Sequence, residues 1–179
     1  PDDYKVKIID SEKGKTNASV ARNIGASEAK NEILFFIDSD VEIHPDSVKE
    51  IKKNAENMEE KDIYGGTYLA HEKSNIVSNI NSLLLRYRVI SLNGKNKNKI
   101  INSSHFLIKK SFFEKIGGFN EYLNSYEDCD FSVRAQKIFE ANVIINKKFN
   151  GYHLKNYTFT KLFFEVSKKT FHFARLRLL

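Results

Sequence analysis

With 179 residues, 41% of them apolar and 29% charged, the chain is long enough for one globular core, and its formal net charge is +6. Its longest apolar run, residues 33–37, is far shorter than the roughly 20 residues that cross a bilayer, so a membrane-spanning helix is excluded. Cys129 is the only cysteine, so an intrachain disulfide is excluded as well. The first residues lack the basic and then apolar pattern of a secretory signal, so we expect a cytoplasmic protein.

The first half of the chain alternates between strand and helix patterns. Residues 5–9 (KVKII) predict a strand, and residues 16–30 predict a helix in which small residues recur on one side for close packing. The continuous apolar run at 33–37 predicts a strand that is buried on both faces. A helix over 45–60 and a strand over 62–70 follow.

The second half continues this alternation. Residues 75–92 predict a long helix, with five apolar residues on one side: Ile76, Ile80, Leu83, Leu84 and Tyr87. The remaining predicted elements are a strand over 105–110, a short helix that ends at Gly117-Gly118, a helix over 127–139, a strand over 142–146 and a helix from about Thr158. Strands that alternate with helices imply an α/β fold with a mostly parallel sheet and helices on both faces.

Two aspartates separated by one serine follow the strand at 33–37. Asp38 and Asp40 stand at the carboxyl end of that strand, where α/β sheets bind their ligands. Two carboxylates so close repel each other, and a hard divalent cation such as Mg²⁺ or Mn²⁺, which also binds phosphate, would relieve the repulsion. The simpler interpretation is a polar loop in which the aspartates cap the following turn.

A second acidic cluster begins the helix predicted at 127–139. Glu127, Asp128 and Asp130 lie in its first turn, and Arg134 comes four residues after Asp130. Acids at a helix N-terminus and an ion pair between residues four apart are ordinary structural features. A carboxylate at this place would also serve as a general base if it reached a substrate hydroxyl.

Three blocks, in this order, resemble the family 2 glycosyltransferases of the GT-A fold: GKTNASVARNIGASEAKNEILFFIDSDVEIHPDSV, GGFNEYLNSYEDCDFSVRA and the histidine of GYHLKNY. The resemblance covers roughly residues 5–155. It suggests a catalytic domain over 1–155 and a basic amphipathic helix over 156–179. It implies transfer of a sugar from a nucleotide-diphosphate sugar to an acceptor hydroxyl, with inversion and with Mn²⁺ or Mg²⁺ as cofactor. The implied pathway is the biosynthesis of a cell-surface polysaccharide or glycan.

The resemblance also implies roles for individual residues. Asp40 matches the aspartate that coordinates the metal at the diphosphate, and His153 matches a histidine that completes the metal site. Asp38 matches the first aspartate of that motif, which lies near the ribose or sugar and assists. Asp128 matches the catalytic base, with Glu127 as its neighbour. Four further residues are implied near the nucleotide or the acceptor: Lys15, Arg22, Gly118 and Phe119.

The chain departs from the family pattern at its start. The family's domain normally opens with a strand, a helix and a strand that carry the first half of the nucleotide pocket, including an aspartate that reads the base. No apolar strand precedes residues 5–9, and no residue matches that aspartate. We therefore expect either a fragment of a longer enzyme or a shortened member whose nucleotide site is incomplete.

The C-terminal segment carries much of the positive charge. From Gly151 onward six Lys or Arg residues accompany one acid, Glu165, so this part has a balance of +5 and the first 150 residues only +1. The basic, Phe-rich helix of residues 158–179 either packs on the domain or holds the enzyme at the inner face of the cell membrane, where a lipid-linked acceptor would lie. The rest of the chain has no basic stripe, which argues against nucleic acid as a partner.

Two other functions fit parts of the sequence. A phosphatase of the haloacid dehalogenase type also ends a strand in Asp-x-Asp and uses the first aspartate as nucleophile, but it requires Thr or Val where this chain has Glu42. A degenerate, non-catalytic GT-A module would bind metal, membrane or a partner protein without turnover. A turnover assay distinguishes such a module from the enzyme.

Overall fold

One five-stranded sheet organises the protein. The structure is a computed structural model that describes residues 17–95 and 99–177. The strands are β1 (Ile33–Ile37), β2 (Val41–Ile43), β3 (Asp62–Leu69), β4 (His105–Lys109) and β5 (Asn142–His153). They lie in the order β1-β4-β3-β5-β2. The strand predicted at residues 5–9 lies outside the described residues.

The helices are α1 (Ala18–Glu28), α2 (Ser47–Glu56), α3 (Ile76–Lys95), α4 (Lys110–Ile116), α5 (Glu127–Phe139) and α6 (Phe159–Arg177). The main core lies between the sheet and α1, α4 and α5, and it includes Phe106 and Phe131. Leu107, the next residue along β4, points to the opposite face and packs with Phe149 and with Ile51 of α2. The prediction of helices on both faces of the sheet is therefore confirmed.

Local signals set the ends of several elements. α1 begins after Asn17, whose side-chain oxygen accepts a hydrogen bond from the N–H of Val20 at 3.0 Å. α4 stops at Gly117, whose φ of 87° is left-handed and therefore suits glycine. Every helix predicted within the described residues is present, although α2 is shorter than residues 45–60. The three-residue strand β2 was not predicted, because so short a segment shows no period.

The strand directions differ from the predicted, mostly parallel sheet. Within the described residues, three of the four pairings are antiparallel, and only β3 with β5 is parallel. After α3 the chain comes back to the carboxyl end of β1, where the N–H of Asp38 donates to the C=O of Ser104 at 2.8 Å. β4 starts at that end and must therefore run against β1 and β3. β1, β3 and β5 still share one direction, so their carboxyl ends lie at the same edge.

β1 is more exposed than the prediction of a strand buried on both faces. Leu34 is buried, whereas Phe35 and Ile37 are 40% and 46% exposed. In the described part of the chain β1 pairs with β4 alone, so it lies at an edge of the sheet. Leu34 and Phe36 join the main core, whereas Phe35 and Ile37 do not, which is the pattern of a strand covered on one face.

The long helices α3 and α6 contact each other. The N–H of Tyr157, just before α6, donates to Oγ of Ser78 in α3 at 2.9 Å, and Nδ2 of Asn75 donates to the C=O of Tyr157 at 3.1 Å. The N-terminal end of α6 is thus attached to the N-terminal end of α3. Across residues 17–95 and 99–177, no helix combines the length and the apolar character needed to cross a membrane.

Candidate active site

The carboxyl ends of β1, β3 and β5 meet the amino ends of β2 and β4 at one edge of the sheet. An open cavity of about 350 Å³ lies at this edge. Six of the residues predicted for the site line it: Arg22, Asp38, Asp40, Glu127, Asp128 and His153. Gly118 and Phe119 are not among the lining residues, and Lys15 lies outside the described residues.

Arg22, on α1, joins the two acidic motifs. Its side chain is only 10% exposed. Its Nη2 donates to Oδ1 of Asp38 at 2.7 Å, and its Nη1 donates to Oε1 of Glu127 at 3.2 Å. Oγ of Ser103 donates to the same Glu127 oxygen at 3.1 Å. The charge of Asp38 is therefore compensated within the protein, which relieves part of the repulsion between Asp38 and Asp40.

Phe119 lies beneath Arg22. Its side chain is 2% exposed, and Cζ of Arg22 lies 5.3 Å from the centre of its ring. Asn23 holds the Phe119 backbone through two hydrogen bonds of 2.9 Å, one to its N–H and one to its C=O. Gly118 has a left-handed φ of 63°, and its C=O accepts a hydrogen bond from Arg134 at 2.7 Å. Gly118 and Phe119 thus support Arg22, and their contact with the acceptor stays a prediction.

Replacing Arg22 by Met is expected to lower the free energy of unfolding by about 1–2 kcal/mol, because Asp38 and Glu127 would lose their shared cation. Arg22→Lys should recover only part of this loss, since an ammonium lacks the planar fork that reaches both carboxylates. Urea unfolding at neutral pH measures the effect. The double variant Arg22→Met/Asp38→Asn should lose less than the single variant, and equal losses would contradict the ion-pair explanation.

Asp40 and His153 form a second pair in the cavity. The pairing of β2 with β5 sets Val41 opposite His153, and the N–H of Leu154 donates to the C=O of Asp40 at 2.8 Å. Oδ2 of Asp40 lies 3.6 Å from Nε2 of His153. The Asp40 side chain is 44% exposed and that of His153 is 12% exposed, so the carboxylate is open to a ligand.

Asp40 and His153 could together hold a divalent cation that a bound phosphate group also coordinates. Asp38 is engaged by Arg22, and no group of three Asp, Glu, His or Cys residues in the described chain forms a ready metal centre. A carboxylate oxygen from Asp40 and an imidazole nitrogen from His153 fit two positions around Mn²⁺ or Mg²⁺. Phosphate oxygens and water would supply the remaining ligands of such a cation. The role of Asp38, Asp40 and His153 in metal binding stays a prediction.

Asp128 lies in the first turn of α5 and lines the cavity. Burial raises the pKa of its carboxyl, and the charge of Glu127 raises that pKa further. The N–H of Cys129 donates to Oδ1 of Asp128 at 2.8 Å and opposes this shift, as does the positive charge of Arg88. A carboxylate with a raised pKa is a stronger base than an ordinary one. The pKa of the Cys129 thiol is raised to about 12 by burial, so that thiol stays protonated.

Asp130 differs from its neighbours in the acidic cluster. Its carboxylate accepts a hydrogen bond from Nε of Arg134 at 2.8 Å, and it does not line the cavity. Arg134 also donates to the C=O of Ile116 and of Gly118. The ion pair of Asp130 and Arg134 therefore ties α5 to the end of α4. Just before Glu127, Tyr126 has a φ of 65°, which is uncommon outside glycine and turns the chain sharply into α5.

Several cavity residues were missed from the sequence. Arg88 reaches the cavity from α3, and Asn102 and Ser103 reach it from the segment before β4. Tyr68, at the end of β3, donates its hydroxyl hydrogen to Oγ of Ser104 at 2.6 Å, and burial raises its pKa. No local pattern distinguishes these residues from other polar surface residues. Only the packing of α3 and the return of the chain to β1 bring them to the site.

His105, the first residue of β4, is buried next to the cavity. Its Nε2 lies 3.0 Å from the C=O of Thr67, and its Nδ1 lies 2.9 Å from Oγ of Ser104. Burial lowers its pKa to about 4 from the usual 6.5. Between these two pH values the unfolded chain binds a proton that the folded chain does not. The free energy of unfolding should therefore fall by about 3 kcal/mol as the pH drops from about 6.5 to 4.

Urea unfolding measured across this pH range checks the prediction for His105. His105→Gln should flatten the decline, because the titrating group is gone. His44→Gln is the matched control, since the His44 side chain is 25% exposed, while the hydrogen bonds of the buried His105 go to Thr67 and Ser104. An unchanged slope in His105→Gln would show that other groups cause the acid sensitivity.

The protein has an α/β fold with a mixed five-stranded sheet, six described helices and a carboxylate-lined cavity at the strand ends. This architecture is consistent with a GT-A-like transferase fold. Residues 3–177 match the sequence model of the family described as Glycosyltransferase like family 2. The chain therefore belongs to this family, and the predicted fold class is confirmed apart from the strand directions. No curated protein matches the chain.

Membership of the family has two consequences for the predictions. It implies a nucleotide-sugar donor and an acceptor in general, so the chain is assigned to the glycosyltransferases. The match also includes α6, while the division of the chain at residue 155 stays a prediction. Nothing about the family supports the phosphatase alternative.

Proposed function

We propose that the chain transfers a sugar from a nucleoside diphosphate sugar to an acceptor hydroxyl, with inversion at the anomeric carbon. One observation carries this proposal. The same cavity holds Asp128, a carboxyl suited to take a proton, and the pair of Asp40 and His153, suited to a phosphate-bound cation. Both groups would accelerate the transfer, because the acceptor loses a proton while negative charge develops on the leaving diphosphate.

Asp128 acts on the acceptor in this proposal. As the acceptor oxygen attacks the anomeric carbon, its proton passes to the Asp128 carboxylate and the bond from that carbon to the diphosphate breaks. A single displacement of this kind inverts the configuration. Glu127 is held by Arg22 and Ser103, so its role is to raise the pKa of Asp128 and thereby strengthen the base.

The other side of the cavity would hold the donor. Asp40 and His153 would bind Mn²⁺ or Mg²⁺ together with the diphosphate, and the bound cation would neutralise charge that develops on the leaving group. Asp38, oriented by its 2.7 Å hydrogen bond from Arg22, suits a contact with the sugar or ribose hydroxyls. Its carboxylate accepts hydrogen bonds, and its side chain is 35% exposed.

The acceptor, pathway and location also belong to the proposal. We propose a saccharide or a lipid-linked saccharide as acceptor, in the biosynthesis of a cell-surface polysaccharide or glycan. The site of action would be the inner face of the cell membrane. The basic and Phe-rich sequence of α6 supports this part of the proposal.

A turnover assay tests the proposal. The full chain is incubated with Mn²⁺ and with UDP-, GDP- or CDP-sugars, and the release of nucleoside diphosphate is measured with and without saccharide acceptors. We expect release that requires the divalent cation, and a product whose anomeric configuration, read by proton NMR, is inverted. Absence of turnover with every donor, while metal and nucleotide still bind, would favour a non-catalytic module.

A further inference from the structure

Two neighbouring helices carry most of the exposed apolar surface that the structure describes. Among the side chains whose exposure the structure describes, fifteen large apolar ones are exposed, and nine of these lie on α3 and α6. Those of α3 recur three or four residues apart and share one face: Ile76, Ile80, Leu83, Leu84 and Tyr87. Those of α6 are Phe159, Phe163, Phe164 and Val166. We call these nine residues the two-helix surface; apolar patches of this kind mark interaction sites.

The same two helices account for the positive charge of the whole chain. α3 and α6 contain eight Lys or Arg residues and one acid, Glu165, a balance of +7. The remaining residues contain 21 basic and 22 acidic side chains, a balance of −1. Nζ of Lys155 lies 3.1 Å from Oε2 of Glu165, so the single acid is already paired. The partner of this surface is therefore expected to be apolar and anionic.

The two-helix surface borders the candidate active site. Asn81, Leu85 and Arg88 of α3 line the cavity, and so do Leu162 and Val166 of α6. Val166 is also 52% exposed, so it belongs both to the cavity wall and to the outer surface. A flat partner that covers the two-helix surface would thus lie beside the cavity opening.

We infer that the two-helix surface binds an anionic lipid bilayer and that the cavity receives a lipid-linked acceptor from it. This inference deepens the proposed function and rests on it for the lipid-linked acceptor, whereas binding to lipid can be measured without turnover. An interfacial helix buries its apolar face among the headgroups while its lysines reach the lipid phosphates. Lys161 and Lys168 are exposed on α6 and suit this contact. A second copy of the chain is a poorer occupant, because it would bring the exposed Lys161 and Lys168 of both copies to one interface, where like charges repel.

The test is co-sedimentation of the full chain with vesicles of phosphatidylcholine alone or mixed with phosphatidylglycerol. We expect binding to the mixed vesicles that weakens when NaCl is raised to about 0.5 M. Leu83→Ser/Leu84→Ser on α3 and Phe163→Ser/Phe164→Ser on α6 should each weaken it by about tenfold or more. Ile138→Ser is the matched control, because Ile138 is 66% exposed on α5, and it should bind like the unaltered chain.

Failure of the unaltered chain to bind the mixed vesicles would overturn the inference, and so would equal binding to neutral vesicles. A dimer seen by light scattering, dissociated by Leu83→Ser/Leu84→Ser and without affinity for vesicles, would assign the surface to a second copy. Donor hydrolysis without vesicles separates this inference from the proposed function. The α3 double variant should hydrolyse donor at the unaltered rate, which also shows that it folds, and Asp128→Asn should still bind vesicles.

Discussion

Replacing Asp128 by Asn is expected to reduce kcat by about 10²–10⁴-fold, the usual contribution of a general base, with little change in the KM for the donor. An amide of the same shape fills the same place but cannot take the acceptor proton. Initial rates of nucleoside diphosphate release, measured with saturating donor and acceptor, give both constants. A variant that keeps more than about a tenth of the normal kcat would contradict the role of Asp128 as base.

Measurements of stability and of pH dependence show whether Asp128→Asn has lost its catalytic base or has failed to fold. Burial raises the pKa of Asp128, so the folded state favours the neutral carboxyl, and stability present at low pH is lost as the pH rises through that pKa. Asp128→Asn should therefore be at least as stable as the unaltered chain at pH 7. For the unaltered chain, kcat/KM should decline in acid at a higher pH than the ordinary carboxyl value of about 3.9. Asp46→Asn, at a side chain that is 95% exposed, is the control and should keep full activity.

Replacing Asp40 by Asn is expected to remove the joint stabilisation of the fold by Mn²⁺ and a nucleoside diphosphate. For the unaltered chain, a ligand at about 100 times its Kd should raise the free energy of unfolding by about 2.7 kcal/mol. The variant should show almost none of this, because a neutral amide is a weak ligand for a hard divalent cation. Turnover should fall by about 100-fold or more. Thermal unfolding with UDP, GDP or CDP, each with and without Mn²⁺, measures the binding effect.

Glu42→Gln provides the control for Asp40→Asn. Glu42 lies two residues further on, in β2, and is exposed, so its replacement removes the same charge without touching the cavity. It should bind metal and nucleotide like the unaltered chain. Full metal-dependent stabilisation in Asp40→Asn would refute the role of Asp40. A loss of equal size in Glu42→Gln would point to general electrostatics instead of a ligand bond.

Features that depend on neighbouring residues were predictable from the sequence. The apolar run at 33–37 and the small-residue helix before it are local patterns, and β1 and α1 lie where these patterns indicated. The acids of the second cluster begin α5, as expected for a helix N-terminus. The motif order indicated that Asp38, Asp40, Asp128 and His153 act together, and all four line one cavity.

Features that depend on contacts between distant parts of the chain could not be predicted from local sequence patterns. β4 runs antiparallel to β1 and β3 because the segment after α3 leads back to the carboxyl end of β1. The sequence pattern of residues 105–110 gives no indication of this direction. The ion pair of Asp130 with Arg134, four residues later, was visible in the sequence, whereas the contact of Glu127 with Arg22, 105 residues away, was not. The apolar side of α3 resembles a core-facing stripe, although in the described structure it is exposed.

The sequence by itself thus determined the family, the order of most elements and the acids of the candidate site, because period, capping and motif spacing act over a few residues. The tertiary structure alone decided that Arg22 binds both Asp38 and Glu127, that Asp128 lies in the same cavity, and that the apolar faces of α3 and α6 stay exposed. These outcomes depend on contacts between residues that are far apart in the chain, such as Arg22 and Glu127, which are 105 positions apart. The pattern of a short segment does not reveal such contacts.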